Sequence, residues 1–281
     1  MSAQTLKYAE APTQYVEVEG VRYAYRSIGN DSGYSLVCLQ HFTGTLDNWD
    51  PIVINGLAQE RRVITIDSAG IGNSGGATPD NVRAMAEIAM KIIGALGIDK
   101  CDILGYSLGG FIAQTIATSN PILLRKIILV GTAPQGTKAL YLFPQLVEKA
   151  FQQKGIEVYL YLFATKTEKS RALVTATFTR LQERKNDRDK DTGMDSVQAQ
   201  IKALTKWGTD PVTIKLSNIR QPVMIVQGSH DEMMDSDSSY EMYKQIPNAI
   251  LLYYPDSAHG SFNQYPEMFV AEATSFLNYF E

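Results

Sequence analysis

The chain has 281 residues, of which 44% are hydrophobic, and this is enough to bury the core of one α/β domain with an inserted subdomain. Its formal net charge of −4 leaves no basic surplus to neutralise phosphates, so the composition does not indicate nucleic-acid binding. The first residues lack a basic region followed by an apolar stretch, and no apolar run approaches the roughly 20 residues that span a bilayer. We therefore expect no secretion signal, no membrane partner and a cytoplasmic protein.

Strand and helix patterns alternate through the first 133 residues. Residues 14–19 and 21–27 alternate in polarity around Gly20 and predict an antiparallel hairpin. Beyond the hairpin, compact apolar runs predict buried strands, and apolar residues at helical spacing predict helices. The predicted strands are 34–40, 62–67, 101–104 and 127–130, and the predicted helices are 51–59, 84–96 and 108–119. This order is typical of a mostly parallel sheet that helices cover on both faces.

The pattern changes after Ala133. Residues 134–213 contain no convincing strand, and four stretches within them have helical spacing. These stretches are 140–151, 157–163, 171–183 and 197–207. The almost entirely charged run 184–191 predicts a solvated loop or helix end.

The strand pattern returns at residues 222–227 and 250–254, and a final helix is predicted at 266–279. We therefore predict an α/β core made of residues 1–133 and 214–281, interrupted by a helical segment of residues 134–213.

The two cysteines, Cys38 and Cys101, each lie in a short apolar run. They are too few for a disulfide scaffold and too far apart for a metal-binding motif, so we predict two reduced thiols in the core. The chain also lacks a P-loop and the glycine fingerprint of dinucleotide sites. We therefore expect no cofactor and no metal.

A serine stands between a predicted strand and a predicted helix, in Gly105-Tyr106-Ser107-Leu108-Gly109. The pattern G-x-S-x-G at a strand-to-helix turn is typical of a nucleophile elbow, where the serine adopts a strained conformation and the glycines let strand and helix pass closely. The helix N-terminus also favours negative charge that develops beside it. Ser107 is therefore the candidate nucleophile, and a glycine-rich structural turn is the alternative interpretation.

A serine nucleophile needs a base, and the base needs a carboxylate that orients it. His259 follows the last predicted strand, at the carboxyl edge of the sheet, and is the candidate base. Asp231 follows the strand before it and is the candidate acid, because the chain order Ser, Asp, His is typical of such triads. His230 is a second candidate base, but it neighbours the acid in sequence, so we expect its side chain either to support the site without contacting the substrate or to lie at the surface. The alternative acids are Glu232, Asp235 and Asp256.

The negative charge of a tetrahedral intermediate needs N–H donors. The backbone N–H of Leu108, the residue after the nucleophile, is the first candidate. The second should come from the loop that follows the predicted strand 34–40, which reads His41-Phe42-Thr43-Gly44-Thr45.

These motifs together resemble the α/β-hydrolase superfamily, in the branch of small bacterial hydrolases that includes esterases, cofactor-free perhydrolases and C–C bond hydrolases. The resemblance extends over nearly the whole chain outside the helical segment and also rests on residues 41–49 and 67–74. It implies a mostly parallel eight-stranded sheet with helices on both faces and a helical cap inserted after strand 6. It further implies structural roles for His41 and for the turn residues Gly70, Gly72 and Ser74.

The loop with the second oxyanion donor departs from the family pattern. In the family this loop usually begins His-Gly, and the residue after the glycine donates to the oxyanion. Phe42 stands where the glycine is expected, and the spacing from His41 to Trp49 is one residue short. We infer that the glycine is deleted and that Phe42 donates, with Thr43 as the alternative.

A serine in the elbow predicts acyl transfer to water, so the expected function is hydrolysis of a carboxylic ester or lactone of a small to medium apolar substrate. The alternatives are a C–C bond hydrolase or perhydrolase with the same triad, and a ligand-binding or signalling protein on the same fold. We expect a small-molecule partner and a monomer or homodimer. The substrate-binding residues are not identified. Some aromatic residues of the helical segment should face an apolar pocket, while most of them should pack the helices against one another. These aromatic residues are Tyr141, Phe143, Phe151, Tyr159, Tyr161, Phe163, Phe178 and Trp207.

Overall fold

The structure is a computed structural model that describes residues 6–31 and 33–280. Residues 1–5, on which the expectation of no secretion signal rests, lie outside this part of the chain. The described residues form eight strands, which are β1 (Gln14–Val18), β2 (Val21–Ile28), β3 (Leu36–Leu39), β4 (Val63–Ile66), β5 (Cys101–Tyr106), β6 (Leu124–Val130), β7 (Val223–Gly228) and β8 (Ala249–Tyr254). They make one sheet in the order β1-β2-β4-β3-β5-β6-β7-β8. The pairs β1–β2 and β2–β4 are antiparallel, and the other neighbours are parallel, which confirms the predicted sheet.

Ten α-helices connect and cover these strands within the described residues. They are α1 (Pro51–Leu57), α2 (Val82–Ala95), α3 (Leu108–Ser119), α4 (Phe143–Phe151), α5 (Ile156–Phe163), α6 (Glu168–Leu181), α7 (Met194–Thr209), α8 (Ser236–Gln245), α9 (Ser261–Gln264) and α10 (Pro266–Tyr279). In the part of the chain that the structure describes, none of them combines the length and the apolar character that crossing a bilayer requires.

The sheet has an apolar layer on each face, because successive side chains of a strand point to opposite sides. In β3, Val37 and Leu39 enter one layer, while Leu36 and Cys38 enter the other. Helices α2 and α3 cover the first layer, and α1 and α10 cover the second. Cys38 and Cys101 are both buried free thiols, as the sequence predicted.

Two helices were not predicted. Helix α8 is largely polar and buries Ser238, Ser239 and Met242, so it has no apolar stripe that would mark it in the sequence. Helix α9 is a single turn. The predicted helix at 140–151 is also divided, because residues 138–142 form a 3-10 turn and the α-helix begins beside Pro144, which is tolerated only in the first helical turn.

The segment between β6 and β7 contains helices α4–α7 and, within the described residues, no strand. Helix α7 docks on the core through Trp207, whose ring stacks on Phe111 of α3 with centroids 4.8 Å apart. The exact division of the chain at residues 134 and 213 stays a prediction.

The charged run 184–191 is a loop and most of its residues are exposed, as the sequence predicted, but two of its charged side chains are buried. Arg184 is 7% exposed, and the side chain of Asp189 is 1% exposed. Both belong to a group of ion pairs against the core, which we call the Asp47 ion cluster and define by Arg26, Asp47, Arg184, Arg188 and Asp189.

In the Asp47 ion cluster, the buried carboxylates of Asp47 and Asp189 interact with arginine side chains and backbone N–H groups instead of with water. Arg26 Nη1 lies 2.7 Å from Asp47 Oδ1 and Arg26 Nη2 lies 3.6 Å from Asp189 Oδ2. The backbone N–H of Asp189 donates to the Asp47 carboxylate at 2.8 Å, and that of Asp47 donates to the Asp189 carboxylate at 3.2 Å. The sequence did not predict the burial of Arg184 and Asp189, because their partners lie on β2 and on the loop after β3, far away in sequence.

The turn between β5 and α3 is a close crossing of backbones. A Cβ atom on Gly105 would lie 2.4 Å from the carbonyl oxygen of Gly109. A Cβ atom on Gly109 would lie 2.1 Å from the carbonyl oxygen of Leu39, at the end of β3. These glycines therefore let β3, β5 and the start of α3 approach one another, as expected for the elbow.

We predict that Gly109→Ala destabilises the fold by at least about 1–3 kcal/mol, because the added methyl group meets backbone that cannot move aside. The matched control is Gly94→Ala in α2, where a Cβ atom meets nothing within 4 Å. That change should stabilise the protein by roughly 0.5–1 kcal/mol, since alanine favours the helix. Urea denaturation measures both, and equal midpoints for the two variants would contradict the crossing.

We also predict that Arg26→Met lowers the free energy of unfolding by roughly 3–5 kcal/mol, because it leaves two buried carboxylates without their nearest cation. Lys91→Met is the control, since it removes an exposed 2.7 Å pair with Glu19 and should cost about 1 kcal/mol or less. A similar small effect of both changes would show that the Asp47 ion cluster does not hold the charged run.

Candidate active site

Ser107 stands at the turn between β5 and α3 in a conformation that non-glycine residues rarely adopt. Its φ is 54° and its ψ is −116°. The backbone is held there because Ser107 N–H donates to Val130 O at 2.9 Å, while Ser107 O accepts from Gly110 N–H and Thr132 Oγ1. Such a conformation costs of order 1–3 kcal/mol and persists only where its surroundings enforce it. The geometry is that of the predicted nucleophile elbow.

His259 and Asp231 are brought together as the sequence predicted. His259 Nδ1 lies 2.8 Å from Asp231 Oδ2, and both side chains are buried. Asp231 Oδ1 accepts the backbone N–H groups of Met233 and Met234, each at 2.9 Å. Since the carboxylate accepts at Nδ1, this nitrogen carries the proton of the neutral ring, and Nε2 is left as the basic atom.

The basic nitrogen of His259 is available for a hydrogen bond. Its Nε2 is buried and makes no hydrogen bond within the described residues. His259 and Ser107 line the same cavity. The hydroxyl of Ser107 is not yet hydrogen-bonded to His259, which is common in sites without a bound substrate.

Glycines again permit the approach of the loops. A Cβ atom on Gly131 would lie 3.3 Å from His259 Nδ1, and one on Gly228 would lie 2.2 Å from Ala258 O. The ends of β6 and β7 can therefore lie against the loop that carries His259.

The other acidic candidates do not hydrogen-bond to His259 in the described structure. Glu232 is exposed, and Asp235 caps the N-terminus of α8. Asp256 accepts the hydroxyls of Thr165 and Thr167. His230 is exposed at the surface, with its Nδ1 on Ser229 Oγ at 2.8 Å. None of these four residues contacts the ring of His259 through a hydrogen bond in the described structure.

The loop after β3 has one backbone N–H that is uncommitted. From His41 to Asn48, every N–H except that of Phe42 donates to another atom of the described residues. In particular, Thr43 N–H donates to Gln200 Oε1 at 2.7 Å. The first N–H of α3, on Leu108, has no acceptor within its own helix. These hydrogen bonds favour Phe42 over Thr43 as the second oxyanion donor.

His41 supports this loop in its neutral form. Its Nδ1 lies 2.7 Å from the carbonyl oxygen of Phe42, which can only accept, so Nδ1 donates. The pKa of His41 is lowered to about 4, mainly by burial, against which the hydrogen bond to Phe42 raises it and to which the nearby His259 adds a smaller lowering. The ring packs against Tyr106 and Phe163. His41 is therefore uncharged at neutral pH and does not compete with His259 as a base.

The turn at Gly70, Gly72 and Ser74 packs on Asp67, beside the loop after β3. Ser74 Oγ donates to Asp67 O at 2.8 Å, and a Cβ atom on Gly72 would lie 2.3 Å from the Asp67 carboxylate. Asp67 in turn accepts the N–H of Leu46 at 2.9 Å. Burial, followed by the charge of Asp189, raises the pKa of this carboxyl well above its usual range. The turn thus supports the site loop from behind.

A cavity of about 500 Å³ connects Ser107 and His259 to the helical segment. Five of the eight aromatic residues considered from the sequence line it, namely Phe143, Phe151, Tyr159, Phe163 and Phe178. Another part of its wall is polar and contains Asp47, Asn48 and residues 188–192. Within the described residues, no group of three or more His, Cys, Asp or Glu side chains could hold a metal ion.

The sequence analysis missed the residues by which the helical segment contacts the loop after β3. Besides Gln200, Thr192 Oγ1 donates to Thr43 O at 2.9 Å, and Tyr159 Oη accepts from Asn48 Nδ2 at 2.9 Å. A signal was present for Gln200. It is a polar residue on the stripe Val197, Gln200, Leu204, Trp207, whose other members are apolar and buried.

Comparisons with known proteins agree with the fold. A family model for the alpha/beta hydrolase fold matches residues 34–264. The solved structure of an alpha/beta hydrolase fold protein from Chitinophaga pinensis is 52% identical, with a TM-score of 0.96, over 98% of this chain and 100% of that one.

Two curated relatives are more distant. The chain is 28% identical to 2-hydroxy-6-oxononadienedioate/2-hydroxy-6-oxononatrienedioate hydrolase from Klebsiella pneumoniae, over 80% of this chain and 81% of that protein. It is 26% identical to pimeloyl-(acyl-carrier protein) methyl ester esterase from Nitrosomonas europaea, over 85% of this chain and 94% of that protein. Since the family model spans most of the chain, the protein belongs to the alpha/beta hydrolase fold family and is a hydrolase of that family.

Proposed function

We propose that the protein hydrolyses carboxylic esters or lactones of small to medium apolar substrates, through an acyl-enzyme on Ser107. One observation carries the proposal. The hydrogen bond of 2.8 Å between Asp231 and His259 leaves the basic Nε2 of His259 buried and unpartnered, on the same cavity as Ser107. This is the arrangement that activates a serine hydroxyl.

In the first half-reaction, Ser107 Oγ bonds to the substrate carbonyl carbon while its proton passes to His259 Nε2. The carbonyl oxygen becomes an oxyanion, which the N–H groups of Leu108 and Phe42 stabilise. When the intermediate collapses, the bond to the alkoxide breaks, and His259 returns the proton to the leaving oxygen. The acyl group remains as an ester on Ser107.

In the second half-reaction, His259 takes a proton from water, and the resulting hydroxide adds to the acyl carbon. Collapse of this intermediate releases the carboxylic acid and restores the proton to Ser107. Asp231 keeps the imidazolium in place in both halves, because its other oxygen is fixed by the N–H groups of Met233 and Met234. A fixed carboxylate needs no reorganisation when the positive charge appears.

The cavity supports a substrate of modest size. Its volume of about 500 Å³ lies in the range of small-molecule pockets, and its aromatic walls suit an apolar acyl or alcohol group. The relative from Nitrosomonas europaea, named as a methyl ester esterase, also supports ester chemistry. We further propose a cytoplasmic location, which the two buried free thiols support.

Hydrolysis of a C–C bond by the same three residues is the second candidate. The observation that favours it is the similarity to a protein that is named as a 2-hydroxy-6-oxononadienedioate hydrolase.

We predict that Ser107→Ala abolishes measurable turnover of p-nitrophenyl butyrate and prevents labelling by a fluorophosphonate probe. Asp231→Asn should lower kcat roughly 10³- to 10⁴-fold, because the His259 ring loses its correct tautomer. The control is Glu232→Gln, which neutralises an exposed carboxylate one residue away and should leave kcat unchanged. Turnover by Ser107→Ala at the wild-type rate would overturn the proposed nucleophile, and an unlabelled wild-type protein would favour a binding function.

The substrate class is tested by comparing kcat/KM for p-nitrophenyl esters from acetate to laurate, for lactones and for a vinylogous diketone. We expect the largest kcat/KM for short to medium acyl esters or for a lactone, because the cavity limits the length of the chain. A diketone that exceeds the best ester in kcat/KM would replace ester hydrolysis by C–C bond hydrolysis as the function.

A further inference from the structure

Thr43, in the loop that carries the second oxyanion donor, has a backbone conformation that β-branched residues rarely adopt. Its φ is 59°, in the left-handed region that favours glycine. The turn is closed locally, since Gly44 N–H donates to His41 O at 3.0 Å. The side chain of Thr43 nevertheless disfavours this conformation, because it has two heavy atoms on its Cβ, so contacts from elsewhere are needed to add to the local bond.

Two further contacts to Thr43 come from the helical segment. Gln200 of α7 accepts the N–H of Thr43 at 2.7 Å, and Thr192, just before α7, donates to the carbonyl oxygen of Thr43 at 2.9 Å. His41 holds the carbonyl oxygen of Phe42. Both polar groups of the peptide between Phe42 and Thr43 are therefore hydrogen-bonded, the carbonyl oxygen to His41 and the N–H to Gln200, and these bonds fix the plane of the peptide.

Gln200 is placed for this contact rather than for the packing of α7. It is 2% exposed among apolar neighbours, where a side-chain amide is costly unless it forms hydrogen bonds. Its Oε1 reaches the Thr43 N–H instead of a group of its own helix. A leucine at this position would fit the apolar stripe but could not accept that N–H.

We propose that Gln200 and Thr192 are positioning residues for the oxyanion hole, because they hold Thr43 in its left-handed conformation and so aim the N–H of Phe42 at the developing oxyanion. The proposal rests on the proposed hydrolase mechanism at Ser107. Under this proposal the oxyanion hole depends on α7, because the N–H of Phe42 is correctly oriented only while α7 contacts the loop after β3.

The decisive variant is Gln200→Leu, which keeps the size of the side chain and removes the acceptor. We expect kcat for p-nitrophenyl butyrate to fall about tenfold or more, while KM changes by less than about threefold, since loss of a whole oxyanion donor costs roughly 10²- to 10³-fold. The affinity for a trifluoromethyl ketone should fall by a similar factor. Ser107 Oγ bonds to the carbonyl carbon of this inhibitor, and the proton of the serine hydroxyl passes to His259 Nε2. The carbonyl oxygen becomes an oxyanion in the oxyanion hole.

The matched control is Gln198→Leu on the exposed side of the same helix, which should leave kcat, KM and ketone affinity unchanged. A second pair of variants does not depend on Gln200. Thr192→Val, which lacks the hydroxyl donor, should lower kcat and ketone affinity in the same way, and Thr192→Ser should restore both. This pair decides the question if Gln200→Leu does not fold.

A rescue experiment tests the backbone conformation itself. Glycine adopts φ near 59° without strain, so adding Thr43→Gly to Gln200→Leu should raise kcat above that of Gln200→Leu alone. Failure of this rescue contradicts the proposed cause. A wild-type protein that is active, together with Gln200→Leu and Thr192→Val variants that keep kcat and ketone affinity, overturns the proposal while leaving Ser107 as the nucleophile. An inactive and unlabelled wild-type protein instead overturns the mechanism on which the proposal rests.

Discussion

The site depends on the close contact between the end of β3 and the first turn of α3. Gly109 lies against the carbonyl oxygen of Leu39, where no side chain could fit. This contact places the loop after β3 beside the turn that follows β5, and it therefore sets the distance between the proposed nucleophile, Ser107, and the proposed donor, Phe42, which are more than sixty residues apart in the chain. If the two backbones were separated by one side chain, the N–H groups of Phe42 and Leu108 would be too far apart to stabilise the one oxyanion that we propose they share.

Much of the fold and of the triad could be predicted because the signals are local and periodic. A strand–turn–helix pattern around Ser107 and the chain order of Asp231 and His259 need no knowledge of distant contacts. The Asp47 ion cluster could not be predicted in this way. A run of charges is solvated unless opposite charges meet it, and its partners on β2 and on the loop after β3 are more than a hundred residues away.

The second oxyanion donor shows where sequence patterns are ambiguous. The departure at Phe42 left two adjacent N–H groups as candidates, and spacing alone could not separate them. The hydrogen bond from Thr43 to Gln200 separates them, because an N–H that is already donated inside the protein is not available to a substrate. The distinction thus depends on one residue of α7 that is packed among apolar side chains.

The Asp47 ion cluster has a consequence for the behaviour of the protein on heating. The cost of removing charged groups from water decreases as temperature rises, whereas the stabilisation per unit of buried apolar area levels off. The loop at residues 184–191 is attached mainly through charges, while the sheet is held mainly through apolar layers. This loop, part of which lines the cavity, should therefore lose less of its attachment on heating than the apolar core loses of its stability. Thermal inactivation should begin in the core rather than by release of this loop.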